Sequence, residues 1–231
     1  MESLFSIVVL VVGILIYKNK QYKKTAYYRI TKNLFSHVKR DAGKYGEYLI
    51  YKRLRHFEDE GGKFLFNIYV PKKNYETTEI DLVLICSKGL FVLESKNFNG
   101  WIFGNEAHRN WTQTLPKGRG GRSHKESFYN PIMQNAAHIK HLKPLVGENV
   151  LMRSIIVFSD ECTLKDVTVK SSNVSVVNCH DVASVVDQIC SQIQTIHLTQ
   201  KEIDDIYNRL YAYTQISSEE RERHIEDMRR Y

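Results

Sequence analysis

The chain has 231 residues, a formal net charge of +7, and 42% hydrophobic residues, which suits one globular domain with additional segments and a sizeable core. Its four cysteines show no Cys-x-x-Cys spacing, which argues against a zinc site and favours free thiols in a reducing compartment. The basic balance favours a polyanion or an anionic lipid as partner, although charge that only maintains solubility is equally compatible.

Residues 3–17 form an apolar run that is followed by Lys18, Lys20, Lys23 and Lys24. A spanning helix needs about 17–25 residues, so the run is short. A cleaved signal peptide is disfavoured because Glu2 precedes the run and no Ala-x-Ala site follows it. A core helix is a further alternative, but a continuously apolar run that leads directly into a lysine cluster is unusual for one. We therefore predict one N-terminal transmembrane helix, a membrane anchor at residues 1–18, in a single-pass cell-membrane protein with the globular domain in the cytoplasm.

Residues 19–40 are basic with interleaved aromatic residues and are interpreted as a juxtamembrane linker held by anionic lipid, with nucleic-acid binding as the alternative. A core domain is predicted at residues 41–160, and the rest of the α/β domain at residues 161–216. Residues 217–231 form a charged tail.

The first half of the predicted core begins with a helix over residues 43–57, in which Glu47 lies in the first turns. A glutamate there usually only complements the helix dipole. A strand follows at residues 64–70. Short strands are predicted around Trp101 and Trp111, whose rings we expect to pack in the interior rather than stack on bases.

A Gly- and Arg-rich loop is predicted at residues 116–125. Its Arg119, Arg122 and Lys125 are candidates for contact with nucleic-acid phosphates, and a merely solvated loop is the equal alternative.

The second half of the chain continues with a helix that Asn130 caps and Pro131 starts. Gln134, His138 and His141 share one face of this helix, and packing or surface roles are favoured for the two histidines. Strands are predicted at residues 154–158 and 174–177, and helices at residues 181–193 and 199–215. This order predicts an α/β domain with a mixed central sheet flanked by helices.

The most informative stretch is residues 79–96, where two apolar runs flank a turn at residues 86–89 and predict a hairpin deep in a sheet. Asp81, Glu94 and Lys96 interrupt these runs. Because alternate side chains of a strand share a face, Glu94 and Lys96 point the same way.

The expected hairpin register pairs Val83 with Val92 and Asp81 with Glu94, unless a bulge near Asp81 shifts it. Opposed residues lie about 4.5–5.5 Å apart at Cβ, where two carboxylates repel. A divalent cation between them would turn that cost into a binding site.

An aspartate, a hairpin and then Glu-x-Lys resemble the core of the PD-(D/E)xK nuclease superfamily, and the fuller pattern resembles its nuclease-related NERD domain. The matching blocks are Gly46-Glu47, Glu79-Ile80-Asp81, Glu94-Ser95-Lys96, and the residues from Asn130 to Gln134. The resemblance covers roughly residues 40–160. Ile80 stands where the superfamily name implies proline.

The resemblance implies a restriction-endonuclease-like fold and Mg²⁺ or Mn²⁺ held by Asp81, Glu94 and the main-chain carbonyl of Ser95. Lys96 would orient a water, lower its pKa or steady the phosphate, while Glu47 and Gln134 would complete the site.

Two function classes follow. The first is a membrane-anchored, divalent-metal-dependent nuclease acting on DNA or RNA, with DNA preferred. The second is a non-catalytic membrane-anchored module that binds nucleic acid or a protein. In the second class, Asp81, Glu94 and Lys96 are a structural ion-pair network, which is a costly arrangement in an apolar hairpin.

Overall fold

A computed structural model describes residues 2–72, 76–115 and 123–216. The helices are α1 Glu2–Lys23, α2 Ala26–Thr31, α3 Phe35–Arg40, α4 Ala42–Leu54, α5 Pro131–Val146, α6 Val182–Gln192 and α7 Gln200–Tyr211. The strands are β1 Lys63–Pro71, β2 Thr77–Cys86, β3 Gly89–Lys96, β4 Gly100–Asn105, β5 Asn110–Leu115, β6 His124–Tyr129, β7 Met152–Phe158, β8 Cys162–Thr168 and β9 Val174–Asn178.

The first sheet has five strands in the order β1-β2-β3-β7-β9. Its first three strands are antiparallel neighbours, whereas β3, β7 and β9 run parallel. The predicted mixed α/β architecture is therefore confirmed. β3 is the central strand, and its residues from Gly89 to Glu94 are all buried, as two apolar faces require.

A second sheet has four strands in the order β6-β5-β4-β8. The two predicted short strands lie in β4 and β5. Ile102 and Trp111 face inward and pack with Phe158 and Ile156 of the first sheet. The sequence prediction missed β6 and β8, which are mostly exposed and carry no clear apolar alternation.

The segment interpreted as a linker, residues 19–40, contains α2 and α3 packed on the core. Tyr27 is fully buried and stacks edge-on against Phe66 of β1. Tyr22, at the end of α1, is also buried and touches Tyr48 of α4. These aromatic residues are therefore anchors in the core.

The N-terminal apolar run forms the first part of α1, which extends to Lys23. Apolar side chains between Ile7 and Tyr17 are exposed. Across the described ranges, no helix combines the length and the apolarity needed to cross a membrane. The predicted transmembrane helix is therefore not supported by the structure.

Helices α4 and α5 position the hairpin's charged residues. The side chain of Asp41 caps α4, and that of Asn130 caps α5 with Pro131 in its first turn, as predicted for the latter. Buried Asn135 fixes α5 to the sheet because its amide donates to the Val92 carbonyl and to Ser154 Oγ, both at 2.8 Å.

We predict that Asn135→Ala lowers the free energy of unfolding by about 1–3 kcal/mol, since two buried acceptors lose their donor. Urea denaturation measures the change. Ala137→Ser, at an exposed position of the same helix, is the control and should change it by less than about 0.5 kcal/mol. Equal stability of the two variants would contradict the role of Asn135.

Candidate active site

The site is built on the β2–β3 hairpin, whose register is the predicted one. Val83 pairs with Val92, and Leu82 pairs with Leu93. Continuing this register by one residue sets Asp81 opposite Glu94. The backbone N–H of Ser95 donates to Asp81 Oδ2 at 2.8 Å, which fixes the aspartate against the end of β3.

Lys96 connects the hairpin to α5. Its Nζ lies 2.8 Å from Glu94 Oε1 and donates to Gln134 Oε1 at 2.9 Å. The shared face of Glu94 and Lys96 and the inward orientation of Gln134 are both as predicted. The hydrogen bond from Asn135 to the Val92 carbonyl fixes α5 at the position along the sheet where Gln134 contacts Lys96.

Gly46 allows α4 to pack closely against the end of β3. A Cβ at this position would lie 2.9 Å from Ser95 Oγ, so a larger residue would push the helix away from β3. Since Ser95 lies on the face of β3 opposite to Glu94 and Lys96, α4 and α5 cover opposite faces of the strand. The close approach of α4 brings the neighbouring Glu47 to the hairpin.

Glu47 is buried, and its Oε2 accepts from Tyr27 Oη at 3.3 Å and from Asn67 Nδ2 at 3.4 Å. Burial, followed by the charge of Glu79, raises the pKa of Glu47 to about 8. Glu47 is therefore held as a neutral acid at neutral pH, unlike a glutamate that only complements a helix dipole.

The pKa values of the other two carboxylates, Asp81 and Glu94, are raised as well. Burial and then the charges of Glu94 and Glu47 raise the pKa of Asp81, against the opposing effect of the Ser95 N–H and Lys96. Burial raises the pKa of Glu94, and Lys96 opposes this. Three acidic groups thus share one poorly solvated region near the end of the central strand.

Two further residues lie at the site that the sequence did not predict as site residues: Glu79 was only part of a matching block, and a packing or surface role was favoured for His138. Glu79 lies on β2 two residues before Asp81, hence on the same face, and accepts from Tyr69 Oη at 2.8 Å. His138 is one helical turn after Gln134 and is buried, with Nδ1 3.4 Å from Glu94 Oε2. The two-residue spacing from Asp81 could have predicted Glu79 at the site, and the four-residue spacing from Gln134 could have predicted His138 there. Tyr27 and Asn67 gave no such signal.

The donor set suits a hard divalent cation in its chemistry. Glu94 Oε2 is buried and accepts no hydrogen bond from the described residues, since His138 meets it only at ion-pair distance. The crowded carboxylates would be stabilised by positive charge. Over the same described ranges, however, no group of three or more Asp, Glu, His or Cys side chains is arranged to hold a metal ion.

Clefts open on both sides of the start of α4. One, of about 390 Å³, is lined by Lys44, Glu47, Asn67 and Glu79. The other, of about 370 Å³, is lined by Ser95, Lys96 and Asp160. Glu47 and Lys96 therefore each line a cleft, whereas neither of these two clefts is lined by Asp81 or Glu94.

The predicted phosphate-binding residues are only partly described. Arg119 and Arg122 lie outside the described residues. Lys125 is exposed and belongs to β6, so the predicted loop ends earlier than residue 125. Leu115 and His124, which pair across β5 and β6, border the undescribed part.

The strand order and the flanking helices define a mixed α/β protein, with buried carboxylates and a lysine at the end of its central strand. A family model of the nuclease-related domain matches residues 42–159, and the chain belongs to this NERD family. This agrees with the resemblance to the PD-(D/E)xK superfamily. The chain is also 30% identical over 189 residues to an uncharacterized protein of Bacillus anthracis, covering 82% of this chain and 84% of that protein.

The raised pKa of Glu47 predicts a pH-dependent stability in metal-free buffer. An unfolded glutamate releases its proton near pH 4.5, whereas folded Glu47 retains it up to about pH 8. Its contribution is thus complete below about pH 4.5 and is lost as the pH rises through about 8. Glu47→Gln should remove this part of the decline in melting temperature.

Thermal melts between pH 4.5 and 8 test this expectation, with exposed Glu60→Gln as a control that should follow the parent protein. Parallel curves for Glu47→Gln and the parent would show that Glu47 does not titrate differently in the folded state.

Proposed function

We propose that this protein is a divalent-metal-dependent nuclease that hydrolyses phosphodiester bonds of DNA or RNA. The observation that carries the proposal is the grouping of Glu47, Asp81, Glu94 and Lys96 near the end of the central strand, inside the NERD region. Carboxylates whose pKa values are raised by burial and by neighbouring acidic groups are costly unless a cation uses them.

Asp81 and Glu94 supply the hard oxygen ligands that Mg²⁺ or Mn²⁺ prefers, and the family resemblance adds the Ser95 carbonyl. When bound, such an ion polarises the phosphate and acidifies water. The like-charge crowding around Asp81 and the buried Glu94 Oε2 support this assignment. Glu47 extends the acidic set toward the cleft that it lines.

Lys96 supplies a positive charge at the site from the protein itself, in addition to that of the proposed ion. Glu94 and Gln134 hold its ammonium between β3 and α5, beside the cleft of about 370 Å³ that Lys96 lines. From there it can steady a phosphate oxygen or orient the attacking water. Gln134 is a positioning residue in this scheme, since it contacts Lys96.

The substrate is proposed to be nucleic acid, and the net charge of +7 supports binding to a polyanion. Between the two nucleic acids, we propose DNA as the preferred substrate. Lys125, together with Arg119 and Arg122, is proposed to contact phosphates. The alternative is a non-catalytic binding module, in which Lys96 only neutralises Glu94 at 2.8 Å.

Lys96 variants separate these functions. For a nuclease, Lys96→Ala should lower the cleavage rate on the order of 10²-fold while Mn²⁺ affinity stays nearly intact. Lys96→Arg should restore activity only in part, because a guanidinium is bulkier and stays protonated. Asp81→Ala should abolish Mn²⁺ binding. Cleavage assays on DNA and RNA, calorimetry and melting temperatures measure these effects.

Lys140→Ala, at an exposed position on α5, is the matched control and should cleave like the parent protein. A different pattern would favour the binding module: no cleavage with any divalent ion, loss of stability in Lys96→Ala, and near-normal stability in Lys96→Arg.

A second part of the proposal concerns α1, which we place against a membrane, with the globular domain on the cytoplasmic side. The exposed apolar residues between Ile7 and Tyr17 and the lysines in the last turn of α1 support attachment. The free cysteines support a reducing compartment. Because Tyr22 is buried in the core, any truncation of α1 has to end before it.

Vesicles that contain anionic lipid should retain the full chain in a flotation assay. The double variant Leu10→Glu and Leu15→Glu should float much less, because it places charge on two exposed apolar positions. Ile196→Glu, at an exposed apolar position outside α1, is the control and should bind as well as the parent. Equal flotation of the double variant would contradict attachment through α1.

A further inference from the structure

The two tryptophans of the chain lie on opposite faces of the second sheet. Trp111 is 1% exposed, and its ring lies parallel to that of Phe158 at 6.2 Å. Trp101 is 43% exposed. The expectation that both rings pack in the interior therefore holds for Trp111 only, and the exposure of Trp101 needs another explanation.

The neighbours of Trp101 are polar or basic. Trp101 pairs with Thr114, which pairs with Lys125, and on the other side Trp101 pairs with Thr163. Paired side chains lie on the same face of a sheet, so these residues form one row across all four strands. The row thus presents a large exposed aromatic ring between buried Thr114 and exposed Thr163, with exposed Lys125 at one end.

A second lysine completes the arrangement. Lys165 lies at an irregularity in the β4–β8 register, and its Nζ is 5.8 Å from the centre of the Trp101 ring. This is near the outer limit of a cation–π contact, so a flexible lysine can leave the ring at little cost. The acidic residue of this face, Asp166, pairs with Phe103, farther along β4 than Trp101.

The row lies close to the proposed active site in sequence. Trp101 follows Lys96 by five residues, so their Cα atoms are at most about 18 Å apart. Gln113, on the strand beside β4, donates to the Asn99 carbonyl at 2.8 Å and fixes the connection between them. The ring is therefore held at a set position relative to the hairpin.

We propose that Trp101, flanked by Lys125 and Lys165, binds an unpaired base of a nucleic-acid strand and its adjacent phosphates. An exposed indole offers a stacking surface to any base, and lysines on either side meet the backbone. Inside a duplex the base faces are covered by their neighbours, so the surface fits a single-stranded region. This inference rests on the proposed function and specifies its substrate class.

Tryptophan fluorescence tests the stacking directly in the full chain, with EDTA present to prevent cleavage. Oligothymidylate and oligouridylate should both quench the emission of the parent protein, and the matching duplex should quench it much less. In Trp101→Phe the remaining indole is the buried Trp111, so the quenching should disappear. Quenching that persists in Trp101→Phe would overturn the proposal.

Affinity gives an independent measurement. Trp101→Ala should weaken single-strand binding about five- to a hundredfold, whereas Trp101→Phe should retain most of the affinity. Tyr17→Ala removes a ring that is 63% exposed on α1 and should have no effect. Lys165→Gln and Lys125→Gln should each reduce the salt dependence of binding by about one ion.

These outcomes distinguish the base-binding surface from the nuclease activity. Quenching and affinity loss without cleavage under any condition would support the surface and contradict the nuclease. Cleavage with unchanged affinity and quenching in the Trp101 variants would support the nuclease and contradict the surface. Failure of both oligothymidylate and oligouridylate to quench the parent protein would overturn the base-binding surface.

Discussion

The crowding of acidic groups at the end of the central strand is the constraint on which the rest of the site depends. Glu47, Asp81 and Glu94 come from three different elements, and burial raises the pKa of each one. Lys96 is the ammonium that touches this set directly, through Glu94. A fold gains nothing by assembling such a group for stability alone, since apolar residues would fill the same volume at lower cost.

The remaining architecture keeps this crowded group in place. Gly46 lets α4 approach Ser95, which brings Glu47 to the hairpin. Asn135 fixes α5 so that Gln134 and His138 meet Lys96 and Glu94. The first strand of the second sheet, β4, begins shortly after Lys96 at Gly100 and carries the exposed Trp101. Helices α4 and α5 therefore supply groups to the site and fix the positions of these groups.

Local patterns predicted the parts of this structure that local physics determines. The hairpin register followed from the position of the turn between two apolar runs, and the start of α5 followed from Asn130 and Pro131. The roles of Tyr27 and Asn67 depend on long-range packing that no local pattern records. The exposed β6 lacks an apolar face, so no strand was predicted there, and the predicted loop extended over its first two residues. The apolar run of α1 suggested a spanning helix, but no described helix satisfies the requirements for one.

The most direct test of the account is the effect of Mn²⁺ on the melting temperature of the full chain at neutral pH. Positive charge placed among these carboxylates relieves their repulsion, so saturating Mn²⁺ should raise the melting temperature. The same ion should release protons from the acidic groups whose pKa values the crowding raises, which calorimetry in buffers of different ionisation enthalpy can count. A melting temperature that does not respond to Mn²⁺ or Mg²⁺, with no proton release, would contradict a metal-dependent catalytic site.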